Sequence, residues 1–283
     1  MTLELDAASL RARLVSARHL HRHLARDYVD HAQHGLVLSE IETRLLQHIM
    51  GVKVSPRRAL THGCDSKNYV QALHQEYPDS AWTVSAPIAA PLRLHRGRWW
   101  RRRPSVQHAS HLLPYRDGSF GMMISNLVGS NPATLPMFLE EAGRVIEADG
   151  LVVVSLLGPN SLSEFREAWA NIDSGAHVAQ CLDMHDVGDI LVQNGFSGVV
   201  MDAEELIITY PDVASAAREM RRLGIANVDP IRALGMTTPH RWKQVCVSYP
   251  QQNQRIPVTL ELVYAHAWRT QSKNSAQVQL IWP

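Results

Sequence analysis

The sequence predicts an α/β fold in which helices cover both faces of an open, mostly parallel sheet. Three observations predict it. Short apolar segments alternate with amphipathic ones from Arg58 onwards. Residues 151–157, LVVVSLL, form a continuous apolar run, which is typical of a parallel strand covered on both faces. Residues 258–268 instead alternate, as an antiparallel or edge strand does. One face of that strand would carry Val258, Leu260, Leu262 and Tyr264.

The chain is predicted to have three parts. Residues 1–50 form an N-terminal helical segment, whose clearest stretch is VLSEIETRLLQHIM at residues 37–50. Residues 51–269 form the α/β domain with helical insertions. Residues 270–283 form a polar tail that is expected to fray.

Strands and helices alternate through the predicted domain. Strands are expected at residues 58–62, 81–86, 105–109, 121–127, 151–157, 198–209 and 258–268. Helices are expected at residues 66–77, 134–148, 159–170, 184–194 and 212–223, with a further one in the proline-containing stretch before the third strand. The turn EADG at residues 147–150 should end the helix of residues 134–148, and Asp183 should cap the helix of residues 184–194. Ligands of such sheets bind at the carboxyl ends of the strands.

Composition and charge exclude several classes of protein. Hydrophobic residues make up 45% of the chain, which is too many for disorder throughout. The 28 Lys and Arg nearly balance the 27 Asp and Glu, so a nucleic-acid-binding protein is not expected. No apolar run reaches about 18 residues and no signal peptide is evident, so we expect a cytoplasmic protein without membrane contact. The cysteines Cys64, Cys181 and Cys246 are too few and too far apart for a disulfide framework.

Two groups of segments carry a resemblance to a known family. The turn DGSF at residues 117–120, the strand ending SNL, the helix ending RVIEADG and LVVVSLLGPNSLSEFREAW at residues 151–169 follow one another. This order resembles the core of class I S-adenosylmethionine-dependent methyltransferases. The segments LDMHDVGDILVQNGFSGVVMDAEELIITYPDV, at residues 182–213, and RIPVTLELVYAHAW, at residues 255–268, are more particular. They resemble the malonyl-[acyl-carrier protein] O-methyltransferases of biotin synthesis.

The resemblance covers roughly residues 20–268 and implies both a fold and an activity. The fold is a seven-stranded sheet with a last antiparallel strand. The activity is methylation of the free carboxylate of a malonyl group on acyl carrier protein, with S-adenosylmethionine as cofactor. Methylation hides a charge that is costly to bury in an apolar tunnel. The reaction needs no general base, because the carboxylate is already ionised near pH 7, and positioning would supply most of the effect.

The loop after the first strand departs from the pattern of the family. The family usually reads D-x-G-x-G-x-G there, and its glycines let the backbone approach the cofactor closely. This chain reads THGCDSK over residues 61–67 and retains the first glycine, Gly63. Thr61 stands in place of the acid, and Asp65 and Lys67 stand in place of glycines.

The acids expected at the ends of the second and third strands are also replaced, by Ala86 and Ala109. Asp65, Ser110, His111 and Asn126 are candidates to supply the polar contacts that are lost. The cofactor-contact positions implied by the resemblance are Thr61, Gly63, Cys64, Asp65, Ala86, Ala109, Ser110, Asn126 and Leu127.

Arginines offer two candidate surfaces for the substrate or a partner. The stretch RLHRGRWWRRR at residues 93–103, which includes Arg101 and Arg102, suits the acidic carrier protein better than nucleic acid, or is a solvated basic edge. Arg218 and Arg222, with Tyr210 upstream, would line the acceptor side, since a guanidinium can bind a carboxylate through two bonds. The alternative is an ordinary amphipathic helix whose arginines face water.

No metal site is expected and no nucleophile is evident. His19 and His23 lie four residues apart on the predicted N-terminal helix, but no acid completes a ligand motif around them. Cys64 follows His62 closely, yet nothing in the sequence places a base beside its thiol, so a packing role is favoured.

Three functions remain open at this point. The first is a methyltransferase of the malonyl-carrier-protein type. The second is a catalytically silent member of the same fold that acts through protein partners, which the replacements in the cofactor loops suggest. The third is an assembly factor for a respiratory or quinone pathway, because a mitochondrial assembly factor of complex I with the same core shares the MHD, NGF and YP features.

Overall fold

The computed structural model describes residues 18, 21, 22, 25, 35–94, 104–128, 134–225, 227 and 236–270. Within these residues seven strands form one sheet. They are β1 (Arg58–Gly63), β2 (Ala81–Ala86), β3 (Ser105–Gln107), β4 (Phe120–Asn126), β5 (Ile146–Leu157), β6 (Phe196–Tyr210) and β7 (Ile256–Arg269).

The sheet has the strand order β3-β2-β1-β4-β5-β7-β6. The pairs among β3, β2, β1, β4 and β5 are parallel, and β7 is antiparallel to both of its neighbours, β5 and β6. The predicted class, a mostly parallel sheet with an antiparallel last strand, is therefore confirmed. The strand order reverses between β1 and β4, which creates the switch point at which open sheets bind ligands.

Helices of the described ranges connect the strands. They are α1 (Leu36–Ile49), α2 (Lys67–Glu76), α3 (Ala89–Leu94), α4 (Leu135–Val145), α5 (Ser163–Ala170), α6 (Met184–Gln193), α7 (Val213–Arg222) and α8 (Pro239–Ser248). Asp183 caps α6 as predicted, because its side chain accepts a hydrogen bond from the Asp186 N–H. The sequence analysis missed α8, which Thr238 caps in the same way. Most of the predicted helix before α1 lies outside the described residues, as do His19, His23 and the tail after residue 270.

The prediction that residues 147–150 form a turn is wrong, because they belong to β5. The register between β4 and β5 shifts there, so that Phe120 pairs with Ile146 and Met122 pairs with Leu151. The extra residues bulge out of the ladder, and glycine is required at the end of the bulge. A Cβ at Gly150 would lie 2.7 Å from the Ile146 side chain and 3.0 Å from a backbone oxygen.

The strand β7 lies inside the sheet and is covered on both faces. The alternating residues that the sequence singled out, Val258, Leu260, Leu262 and Tyr264, are all fully buried in one hydrophobic cluster. On the opposite face, Val263, Ala265 and Ala267 are buried in the second cluster, and Thr259 and Glu261 are half-buried. The alternation therefore reflects large apolar side chains on one face and smaller or polar ones on the other.

Helix α1 joins the loop after β1 to the far strands of the sheet. Its apolar face is buried in the same cluster as α2 and β7. Arg44 of α1 forms an ion pair with Glu204 of β6 at 2.7 Å, and the Tyr264 hydroxyl donates to the same carboxylate at 2.8 Å. His48 stacks on Tyr264 with ring centroids 3.9 Å apart. These contacts fix the helix across the sheet.

No helix of the described ranges is both long enough and apolar enough to cross a membrane.

The core position Leu260 supplies the first prediction. Because its side chain is fully buried on β7, Leu260→Ala should lower the free energy of unfolding by about 2–5 kcal/mol. Leu36 is 88% exposed at the start of α1, so Leu36→Ala should change it by less than about 0.5 kcal/mol. Chemical denaturation of both variants measures the difference. Equal effects of the two substitutions would contradict the position given to β7.

Candidate functional site

The carboxyl ends of β2, β1 and β4 form the edge at which the sequence predicts the cofactor site. Gly63 of β1 lies beside Asn126 of β4, and His62 lies beside Ser85 of β2. Ala86 ends β2 one residue later. The structure therefore brings together the predicted positions of the first, second and fourth strands at the switch point of the sheet.

The side chain of Asp65 lies over Gly63 in the loop after β1. Asp65 is 1% exposed and accepts a hydrogen bond from the Thr61 hydroxyl. A Cβ placed on Gly63 would lie 2.7 Å from Asp65 Oδ1 and 3.1 Å from the Asn126 carbonyl oxygen. The space that glycine leaves open at this position is thus occupied by a carboxylate of the chain itself.

A second buried acid, Glu42 of α1, holds the next residue of the loop. Glu42 accepts hydrogen bonds from the Ser66 N–H at 2.7 Å and from the Ser66 hydroxyl at 2.6 Å. The Ser66 hydroxyl in turn accepts from the Tyr69 N–H and caps α2. The sequence analysis missed Glu42, although a charged residue on the apolar face of a helix was the signal that could have found it.

Burial determines how these two acids titrate. It raises the pKa of Asp65 to about 7, against the lowering effect of the Thr61 hydrogen bond. It raises the pKa of Glu42 to about 8, against the hydrogen bonds from Ser66, and the nearby charge of Asp65 adds to the rise. The two acids therefore carry less than their full charge at neutral pH.

The end of β2 offers no carboxylate. Ala86 has no exposed surface, and its carbonyl oxygen accepts a hydrogen bond from the His108 N–H at 3.2 Å. Ala109, the predicted position after β3, is exposed, and Ser110 is half-buried. Neither alanine has a side-chain group that could accept hydrogen bonds from a ribose or an adenine.

A buried histidine that sequence reasoning did not assign to the site joins these ends. His62 has no exposed surface, and its ring nitrogens lie 2.9 Å from Ser85 Oγ and 3.0 Å from Ser110 Oγ. Ser85 donates its proton to the Thr61 carbonyl oxygen, so we assign the ring proton of His62 to Nδ1, and Nε2 accepts from Ser110. The ring stacks on that of His108, with centroids 4.7 Å apart.

This histidine is a structural group and not a base. Burial, together with the neighbouring His108, holds the pKa of His62 well below its usual range. A serine is activated by a base that can take its proton, and an imidazole that resists protonation does this poorly. The pairs of Ser110 and Ser85 with His62 therefore satisfy buried polar groups and link β1 to β2.

The end of β4 is also bound within the protein. The Asn126 side-chain oxygen accepts a hydrogen bond from the Ser155 hydroxyl at 2.8 Å. Leu127 follows with a φ of 56°, and its N–H donates to the carbonyl and hydroxyl oxygens of Ser155 at 3.0 and 3.1 Å. Cys64 is half-buried, and burial raises the pKa of its thiol to about 12. This supports packing over nucleophilic chemistry for Cys64.

Tyr210, one of the proposed acceptor residues, lies far along the sheet from the loop after β1. The strand pairings place Gly63 level with Asp202 of β6, by way of β4, β5 and β7. Tyr210 lies eight residues further along β6, about 26 Å in an extended strand. Arg218 of α7 is exposed, and Arg222 forms an ion pair with Glu219 at 3.8 Å. The strand register thus separates Tyr210 from the predicted cofactor positions, and the place of Arg218 and Arg222 on the acceptor side stays a prediction. Arg101 and Arg102 lie outside the described residues.

The segment GPNSLSEF, which carries part of the resemblance, binds β7. The Gly158 N–H donates to the Glu261 carbonyl oxygen at 2.8 Å, and the Asn160 N–H donates to the Glu261 carboxylate at 2.7 Å. A Cβ on Gly158 would lie 2.4 Å from the Glu261 side chain, so a larger residue there would require that side chain to shift. Glu164 then accepts from the Thr259 hydroxyl at 2.6 Å. These bonds fix the loop after β5 to the antiparallel strand.

The NGF segment has a similar explanation. Arg269 of β7 donates to the carbonyl oxygens of Asn194 and Gly195, at 2.6 and 3.1 Å, where α6 ends. Gly195 has a φ of 79°, and a Cβ there would lie 2.2 Å from the Arg269 guanidinium. The cation also lies at the negative end of the α6 dipole. The segments GPNSLSEF and NGF, which carry part of the resemblance, are therefore held to β7 by hydrogen bonds.

Comparison with known proteins gives both close relatives and a shared fold. A malonyl-[acyl-carrier protein] O-methyltransferase of Halorhodospira halophila is 38% identical over 237 residues, which cover 81% of this chain and 80% of the relative. One from Laribacter hongkongensis is 33% identical and covers 81% of this chain and 82% of the relative. No protein-family profile matches the chain.

Two solved structures illustrate the fold. The YcgJ protein of Bacillus subtilis has a TM-score of 0.58 at 12% identity and covers 81% of this chain and 99% of its own. A SAM-dependent methyltransferase of Thermotoga maritima has a TM-score of 0.51 at 12% identity and covers 88% of this chain and 99% of its own.

The strand order, the switch point between β1 and β4 and the antiparallel β7 define a class I S-adenosylmethionine-dependent methyltransferase fold. Within this class, the chain belongs to the malonyl-[acyl-carrier protein] O-methyltransferase family, because its relatives there match it over four fifths of its length. The resemblance stated from the sequence is confirmed on both points.

S-adenosylmethionine is the methyl donor of this class, and the residues present do not fit it in the manner of the family pattern. The acid expected at the end of β2 is the buried Ala86, and the close approach at Gly63 is filled by Asp65. Asn126 and His62 are bound to Ser155 and Ser85. Within the described ranges, no group of three or more His, Cys, Asp or Glu side chains is placed to hold a metal ion.

The raised pKa of Glu42 gives a prediction about stability. The pKa is about 8 in the folded protein and near 4.5 for the ordinary group, so the folded state binds more protons between these values. The free energy of unfolding should therefore fall as the pH rises through this window. Glu42→Gln should remove part of the fall between pH 6 and pH 9, on the order of 1–2 kcal/mol.

Denaturation of the wild type and the Glu42→Gln variant at pH 6 and pH 9 measures this difference. The exposed Glu76, on α2, supplies the matched control, and Glu76→Gln should keep the pH dependence of the wild type. The same pH dependence in all three proteins would rule out a buried, weakly ionised Glu42.

Proposed function

We propose that this chain transfers a methyl group from S-adenosylmethionine to the free carboxylate of a malonyl group attached to acyl carrier protein. The observation that carries the proposal is its similarity to the Halorhodospira halophila enzyme of that name, 38% identical over 81% of this chain. The proposed setting is biotin synthesis in the cytoplasm. The product would be a methyl ester, which elongation enzymes could accept as an uncharged chain end.

The chemistry of this reaction asks the protein for positioning more than for proton transfer. A carboxylate is already ionised near pH 7, so as a methyl acceptor it would need no general base from the protein. The neutral, buried His62 is consistent with this requirement, since no imidazole base is needed. Holding the carboxylate in line with the methyl group would supply most of the rate enhancement.

The proposed protein partner is the acyl carrier protein that bears the malonyl group. Residues 93–103 contain six arginines and no acid, whereas the remainder of the chain has 22 Lys and Arg against 27 Asp and Glu. A local cationic stretch of this kind would favour an acidic protein surface. We propose that it supplies the docking contact, while neither nucleic acid nor membrane is a proposed partner.

The contacts around Gly63 favour a second candidate function. Asp65 fills the place where the family pattern has open glycine backbone, so the chain would bind malonyl-carrier protein without transferring a methyl group. This candidate keeps the partner of the first one and drops the reaction. It differs from the first in one measurable property, turnover.

A transfer assay with methyl-labelled S-adenosylmethionine tests the proposed function. The purified chain should label malonyl-carrier protein and leave acetyl-carrier protein unlabelled, because acetyl has no free carboxylate. Expression of the chain should also restore growth of a biotin-requiring strain that lacks its own methyltransferase of this type. No label with cofactor at about millimolar concentration, together with no rescue of growth, would contradict the first candidate. Binding of malonyl-carrier protein alone would then support the second.

A further inference from the structure

The strongest unexplained feature of the site is the Asp65 carboxylate, which lies beside Gly63 in the loop after β1. We propose that Asp65 blocks the cofactor loop, residues 63–67, and that its carboxylate must leave Gly63 before S-adenosylmethionine can bind there. The inference rests on the proposed function in one respect only, which is the identity of the cofactor. It makes Asp65 the residue that sets the cofactor affinity of this chain.

The block that Asp65 forms is steric. Asp65 Oδ1 lies 2.7 Å from the position of a Cβ on Gly63, which is closer than real Cβ atoms approach any neighbour. The carboxylate therefore fills the space beside Gly63 that a side chain at this position would need. A glycine that serves for close approach to a ligand must have that face of its backbone free. Here the face is taken by a side chain.

The acid of this loop is attached at a different position from the acid of the family pattern. The family pattern has an acid at the position of Thr61 and a glycine at the position of Asp65. In this chain Thr61 replaces the acid with a hydroxyl, and Asp65 replaces the glycine with an acid. The hydroxyl donates to the acid, so a carboxylate is kept beside β1 but is now carried by the loop. The Asp65 side chain consequently takes up space in the loop itself.

The groups around Asp65 hold its side chain in this place. The acid is almost completely buried, and the Thr61 hydroxyl is oriented by its place on β1, a strand flanked by β2 and β4. Glu42 fixes the next residue through two hydrogen bonds to Ser66. Rotation of Asp65 out of the loop would break its bond to Thr61, so cofactor binding has to offset that loss.

Calorimetric titration with S-adenosylhomocysteine tests the inference without any need for turnover. Asp65→Gly, which restores the family residue, and Asp65→Ala, which removes the carboxylate, should each bind at least about tenfold more tightly than the wild type. Asp65→Asn has the same size and can still accept from Thr61, so its affinity should stay closer to that of the wild type than to that of the alanine variant. The exposed Asp79 lies in the turn before β2, and Asp79→Ala is the control for removal of an aspartate elsewhere.

A second route keeps the inference testable if glycine loosens the loop. Thr61→Val retains the shape of the side chain and removes the hydroxyl that holds Asp65, so it should also raise the affinity. Thermal melting of each variant establishes that it is folded. Equal affinities in all folded variants would overturn the inference. Weaker binding in Asp65→Ala and Asp65→Gly would overturn it too, because Asp65 would then be a residue that holds the cofactor.

Failure of this inference can be told apart from failure of the proposed function. The variants are also assayed for methyl transfer to malonyl-carrier protein. Tighter cofactor binding without transfer would support the block by Asp65 and contradict the proposed enzyme activity. Transfer by the wild type with no gain in affinity in the variants would support the activity and contradict the block.

Discussion

The burial of a carboxylate beside Gly63 is the constraint on which the candidate site depends. A buried acid must be paired or protonated, and Asp65 meets this need with the Thr61 hydroxyl and a pKa raised to about 7. Glu42 is a second buried acid, and it accepts a hydrogen bond from the next residue of the loop, Ser66. Because the side chains of Thr61, His62, Asp65 and Ser66 all form hydrogen bonds within the chain, the protein itself holds the loop in which the family pattern places the cofactor.

The fold does not depend on this substitution of contacts. Strand order and packing follow from apolar patterns such as the continuous run of β5 and the two buried faces of β7. The joints that carry the family resemblance, Gly158 on Glu261 and Gly195 on Arg269, lie at the β7 side of the sheet. A chain can therefore keep the architecture of its family while the side chains at the ends of β1 and β2 change.

Much of the fold could be predicted from the sequence, and less of the site. Apolar patterns located the buried strands, because a covered sheet requires apolar side chains. The bulge at residues 147–150 resembles a turn in sequence, and α8 has only one buried residue, Val245, to mark it. Aligned loops located Asp65, but only the structure reveals that it covers Gly63. Partners distant in sequence, such as Glu42 with Ser66, leave no local pattern beyond a charge on an apolar face.

The most direct test of this account is a pair of crystal structures, of the free chain and of the chain with saturating S-adenosylhomocysteine. The account predicts that the Asp65 carboxylate accepts the Thr61 hydroxyl over Gly63 in the free chain and has rotated away in the complex. A complex in which S-adenosylhomocysteine lies on Gly63 while Asp65 keeps its place would contradict it. So would a free chain in which the glycine is already open.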